Sequence, residues 1–185
     1  ILIVNHGIWP EDYVPAHEMS LTQWDRTVGV NLRAAFICSK LFLQNLEEFP
    51  GENGSIIYIG STAGVFGEAG HVDYAISKAG LFGMMLSLKN EIVYLAHRGR
   101  VNIVAPGWTL TPMTEKFMTD HEGIRTALQT MPLRKLARPE DIARTVVFLA
   151  SDQLAGHISG QLITVAGGME GRKLFEKDEI SIDKI

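Results

Sequence analysis

Ile1-Leu2-Ile3-Val4 is apolar at every position. Successive side chains of a strand point to opposite faces, so this run is apolar on both. Such a strand belongs inside a parallel sheet covered by helices above and below. It ends at Asn5-His6-Gly7, predicting a strand over 1–5 with a backbone that can be approached closely at its end. Further strands are predicted over 55–59, 100–104 and 161–165. Helical periodicity fills the segments between them, about 20–47, 72–96 and 139–149. Strands alternating with helices predict an α/β domain built on a parallel sheet. Open sheets of this kind place their chemistry at the C-terminal ends of the strands.

Composition narrows the possible partners. The 185 residues are 46% hydrophobic and 21% charged, enough to bury one ordinary core. The net charge of −4 comes without a basic stripe, so nucleic acid is not an expected partner. No apolar run approaches the roughly 18 residues of a membrane span, and no metal site is expected. The single cysteine, Cys38, cannot form an internal disulfide. It fits a reducing compartment, the cytoplasm, and its helical context places it in the core.

The stretch from Ser61 to Lys78 carries the chemistry. Ser61 follows the apolar run Ile56-Ile57-Tyr58-Ile59, and Tyr74 and Lys78 stand four apart at a helix start. Residues i and i+4 share a helix face. A free phenol titrates near pH 10 and is a poor base at neutrality. A lysine ammonium nearby favours the phenolate, which would tune Tyr74 as a general acid/base. Ser61 could donate a hydrogen bond to an oxygen that gains negative charge as a carbonyl accepts hydride. The competing reading is an amphipathic helix start with a snorkelling lysine.

Ser61, thirteen residues before the tyrosine of Tyr74-Ala-Ile-Ser-Lys78, resembles the catalytic stretch of the short-chain dehydrogenase/reductase superfamily. Asn5-His6-Gly7 resembles its Asn-Ala-Gly strand end, and Val30-Asn31-Leu32 its helix asparagine. Pro106-Gly107-Trp108 through Met113 is similar to its Pro-Gly-x-x-x-Thr-x-Met segment, and Arg138–Ala143 and Ser159–Gly168 match its C-terminal part. The resemblance covers residues 1–170 and implies a Rossmann-like, doubly wound parallel sheet. It implies NAD or NADP as cofactor, with contacts at Asn5, Gly7, Tyr74, Lys78, Pro106, Gly107, Thr109 and Thr111. Asn31, Ser61, Tyr74 and Lys78 would be catalytic, Asn31 holding a water on a proton path from Lys78. Ser61, Tyr74 and Trp108 would meet a secondary alcohol or ketone, of the 3-oxoacyl-carrier-protein or the sugar and polyol type. The helices carrying Asn31 and Tyr74 would pack against a second subunit, giving a homodimer or homotetramer. The family's first βαβ units, with the turn Thr-Gly-x-x-x-Gly-x-Gly, have no counterpart here. The chain therefore reads as the C-terminal two-thirds of the domain. That gap motivates an alternative of another class, a catalytically silent binding or assembly module.

Other residues carry narrower expectations. His6, an alanine in the family, would cap a turn or touch the cofactor. Ser20 and Gln23 read as a capping box. An asparagine in a helix, as at 31, also reads as a group bonding backbone across a kink. Gly64, Gly67 and Gly70 read as a pliable loop that lets a ligand come close. His71 would line the pocket or cap the helix, and Asp73 would cap it. Trp108 would floor or roof the nicotinamide pocket. Residues 112–136 read as a broken, amphipathic substrate lid whose Met113, Phe117, Met118, Leu128 and Met131 favour an apolar or mixed substrate. The charged tail, 171–185, reads as mobile or laid on a neighbouring subunit.

Overall fold

The computed structural model of the chain describes residues 1–115 and 121–181. Four strands, β1 (Leu2–Val4), β2 (Asn53–Ile59), β3 (Arg98–Pro106) and β4 (Leu162–Val165), form one parallel sheet in sequence order. Parallel neighbours need crossover connections. These are α1 (Leu21–Val28) and α2 (Ala34–Glu48), then α3 (Ala63–Phe66) and α4 (Val72–Glu91). The last crossover contains α5 (Pro112–Glu115), α6 (His121–Leu128), α7 (Pro139–Ala150) and α8 (Asp152–Ala155). β3 is longer than its apolar stretch because Arg98 and Gly99 still pair with Asn53 and Gly54.

The sheet is covered on both faces. Ile56 and Tyr58 of β2, with Val101 and Ile103 of β3, join Leu46 of α2 and Leu81, Met85 and Leu88 of α4. Ile57 and Val104 pack on the other side with Leu149 of α7. Tyr58 is fully buried, and its hydroxyl lies 2.6 Å from that of Ser39 on α2. Burial pushes this phenol up to about 12. Arg100, also buried, caps the end of α7 by donating to the carbonyls of Leu149 (2.7 Å) and Ala150 (3.4 Å).

The helix predicted over 20–47 is present but interrupted. Ser20 accepts the Gln23 N–H at 3.1 Å, which is half of a capping box. The other half is not made, because the Gln23 amide donates to Asp73 instead. A π-helical turn spans Gly29–Arg33, with the Ala34 N–H donating to the Gly29 carbonyl. Such single turns hold one extra residue and re-aim side chains, here Asn31.

The small-residue loop differs from expectation. Gly64 lies within α3, and a Cβ there would stand 2.8 Å from backbone atoms of both Lys78 and Ala79. It serves helix-on-helix contact, not ligand approach. Gly67 and Gly70 adopt φ of +81° and +76°, where other residues are strained. Gly64→Ala is expected to cost about 1–3 kcal/mol by overpacking against a backbone that cannot yield. Chemical denaturation checks this; an unchanged midpoint would show that α3 slides freely on α4.

The tail and the lid also depart from expectation. Leu128 and Met131 are buried with Ile124, Leu136 and Ile180, so they form a satellite core and not a cavity wall. Phe117, Met118 and the side chain of Met113 lie outside the described residues. The tail docks on its own chain. Gln129 donates from its side chain to the Phe175 carbonyl (2.7 Å), and the Leu174 N–H donates to the Gln129 carbonyl (2.8 Å). The Arg134 guanidinium stands 3.9 Å from the Phe175 ring centre. Phe175 and Ile180 are the apolar anchors in an otherwise charged stretch, and they close the satellite core.

Candidate active site

The C-terminal ends of β1, β2 and β3 open into a cavity of about 960 Å³. Ser61 follows β2, and Tyr74 and Lys78 enter from the first turns of α4. All three line this cavity, as do Asn5, Gly7, Pro106, Gly107, Trp108, Thr109 and Thr111. Asn31 is the exception. It is buried beneath the cavity floor, 1% exposed, and does not line it.

Lys78 is held by its Nζ donating to the Ile59 carbonyl at 3.0 Å. Nζ also lies 5.8 Å from the centre of the Tyr74 ring. Ser61 counters part of the burial that raises the Tyr74 phenol, and its Oγ accepts the Ala63 N–H at 3.1 Å. A third anchor sets the start of α4. Asp73 is fully buried. Its carboxylate accepts from Thr27 Oγ1 (2.7 Å), Gln23 Nε2 (3.2 Å) and the Tyr74 N–H (2.8 Å). The position before Tyr74 therefore ties α4 to α1 and fixes where the phenol stands.

Asn31 joins the loop after β1 to α4. It accepts the Ile8 N–H at 2.7 Å and donates to the Ile8 carbonyl and Ser77 Oγ, each at 3.0 Å. This is the backbone-bonding role across a helix irregularity. Gly7 passes directly over it. A Cβ at Gly7 would stand 3.1 Å from Lys78 Nζ and 3.3 Å from Asn31 Oδ1. His6 does not line the cavity, and its Nε2 is enclosed.

Burial pushes the Tyr74 phenol above its ordinary value, and Ser61 offsets only part of that. The expected lowering by Lys78 counts on the positive charge of a bound nicotinamide as well. Lys78 is itself buried, and desolvation takes its ammonium down to about 8. Both ionisations are disfavoured by the same apolar surroundings.

The threonines expected at the cofactor are partly engaged. Thr109 donates to the Gly107 carbonyl at 3.0 Å, and Thr114 to the Thr109 carbonyl at 2.6 Å. They order the turn after β3, and both residues line the cavity. Two aromatic residues escaped sequence reasoning. Trp9 and Tyr13, in the loop after β1, pack on His71 with ring centres 4.1 and 6.5 Å apart. Trp9 also meets Tyr74 edge-on at 4.7 Å. The one available signal was Trp9 standing two residues after Gly7.

Comparison with known proteins agrees with this geometry. A family model described as enoyl-(acyl carrier protein) reductase matches residues 1–170. The 3-oxoacyl-[acyl-carrier-protein] reductase FabG of Thermotoga maritima is 36% identical over 170 residues, 91% of this chain and 65% of the relative. Cis-4-hydroxycyclohexanecarboxylate dehydrogenase of Sinomonas cyclohexanicum is 33% identical, covering 91% and 64%. A Beutenbergia cavernae protein assigned as an NAD(P)-dependent gluconate 5-dehydrogenase, solved with NADP at low occupancy, superposes with a TM-score of 0.81. It is 33% identical, over 90% of this chain and 64% of its own. The chain spans just under two thirds of the length of these relatives.

Proposed function

Because the chain belongs to the short-chain dehydrogenase/reductase superfamily, we propose that it serves as an NAD(P)-dependent oxidoreductase acting on a secondary alcohol or ketone. The observation that carries this reading is the convergence of Ser61, Tyr74 and, one turn along, Lys78 on one cavity, with Lys78 Nζ 5.8 Å from the Tyr74 ring centre. A dinucleotide's nicotinamide end fits what is present. Gly7 offers backbone without a side chain above Lys78 and Asn31. Lys78 spends one of its three N–H donors on Ile59, which leaves others for ribose hydroxyls. Asn5, Pro106, Gly107, Thr109 and Thr111 would border the group, which when bound supplies or accepts the hydride.

In this mechanism Ser61 donates to the substrate oxygen and holds it beside the Tyr74 hydroxyl. Tyr74 gives a proton to that oxygen in ketone reduction and takes it back in alcohol oxidation. Lys78 favours the phenolate form and keeps the phenol oriented. Asn31 holds Ile8 and Ser77, and so the floor beneath Lys78; a water there would extend the proton path. A subunit partner would cover the exposed Phe36 and Leu41 of α2 and Ile76, Phe82 and Leu86 of α4, giving a homodimer or homotetramer. Among the described residues no helix is long and apolar enough to cross a membrane, and the place of action proposed is the cytoplasm.

The test is a titration of NADH and of NADPH into the chain, followed by nicotinamide fluorescence, with ketone reduction assayed in parallel. Saturable binding of one or both is expected. Binding of neither at millimolar concentration would overturn the reading.

A further inference from the structure

The aromatic wall beside Tyr74 contains a polar group that the proton transfer does not use. His71 stands three residues before Tyr74, lines the same cavity and is only 8% exposed. It occupies the cap position of α4 but makes no side-chain cap bond. Trp9 lies against its ring at 4.1 Å and Tyr13 meets it edge-on at 6.5 Å, so the imidazole is held in one orientation. Nδ1 is enclosed and has no hydrogen-bond partner. An enclosed N–H without an acceptor is rare and costly. The neutral ring therefore keeps Nδ1 bare and carries its proton on Nε2, the nitrogen left toward the cavity. Burial holds the imidazole below its ordinary pKa against the opposing pull of Glu68 and Asp73, which agrees with a neutral ring.

We propose that His71, fixed by Trp9, is a specificity-determining residue that donates from Nε2 to a second, hydrogen-bond-accepting oxygen of the substrate. This rests on the oxidoreductase reading, which places the reacting oxygen at Ser61 and Tyr74. His71 stands at the cap position of the helix whose first turn carries Tyr74, and both line one cavity. An oxygen on a carbon one or two removed from the reacting carbon is the substrate group that two such neighbouring side chains can hold together. The class selected is thus an oxo ester, hydroxyketone or vicinal diol, over a simple ketone or alcohol of the same length. A site built to bond a substrate oxygen rejects the analogue that lacks it, because its own polar group is then left unpaired.

Two probes of equal heavy-atom number separate the cases, ethyl 3-oxobutanoate and 2-octanone. With ¹⁵N-histidine-labelled chain, the His71 ring signals are assigned by their loss in His71→Gln. They are expected to show Nε2 protonated, and to shift with ethyl 3-oxobutanoate but not with 2-octanone. In the assay, the ratio of kcat/KM for the ester to that for the ketone should fall roughly 10- to 100-fold in His71→Leu. It should recover in part in His71→Gln, which keeps a donor. Equal shifts with both probes, no shift with either, or an unchanged ratio in His71→Leu would overturn the proposal. The ring-signal arm needs no turnover. A selective shift without hydride transfer would therefore sink the oxidoreductase reading while leaving the recognition by His71 standing.

Discussion

Tyr74→Phe is expected to lower kcat by about 10²–10⁴-fold, the range of a lost general acid/base. Phenylalanine fills the same volume, so α4 should keep its packing and its anchor through Asp73. What is removed is the hydroxyl and the proton that passes to the substrate oxygen. KM should change far less than kcat, because the loss is felt in the transition state. Ser61→Ala should cost less than Tyr74→Phe. Combining the two should add little, since the residues act as a unit. Turnover at the parental rate in Tyr74→Phe, with an unchanged thermal midpoint, would remove Tyr74 from the chemistry.

Much of this site was legible because its parts are local. Tyr74 and Lys78 are one turn apart on one helix, so spacing alone sets their common face. Ser61 is delivered by a strand whose apolar run announces a buried position. The three further strands followed from the same logic of alternating apolar runs and helices. What was missed depends on distant residues. Asp73 does accept the first-turn N–H of Tyr74, but its ties to Thr27 and Gln23 reach across 46 and 50 residues. Leu128 and Met131 have the same spacing whether they face a ligand or a core, and Ile180 of the tail decided for the core. The burial that raises Tyr74 and depresses Lys78 is contributed by walls that no short motif contains.

That burial makes Lys78→Met the substitution with the most divided outcome: a stabler chain with a poorer catalyst. The lysine titrates at about 8 in the folded chain against 10.5 when free. Its folded value is the lower one, so between those pH values the unfolded chain binds more protons and stability rises with pH. Below about pH 8 the full penalty of burying the ammonium applies, roughly 3 kcal/mol at 1.36 kcal/mol per unit. Little solvent screening reduces it, because Lys78 is only 7% exposed. Methionine keeps the apolar stem and removes the charge. It also leaves the Ile59 carbonyl without its donor, at a cost of about 1 kcal/mol. The net expectation at pH 7 is a gain of about 2 kcal/mol. It should shrink through pH 8–10.5 and turn into a small loss beyond, where the parental lysine is neutral in both states. Activity should move the other way. Without the ammonium only Ser61 opposes the burial of the phenol. The apparent pKa for alcohol oxidation should then shift to higher pH, read as a macroscopic value of the coupled groups. Denaturation curves at pH 7 and pH 10.5 beside a pH–rate profile test both halves. A variant less stable at pH 7 would refute the strained ammonium, and an unmoved inflection would show that Lys78 does not tune Tyr74.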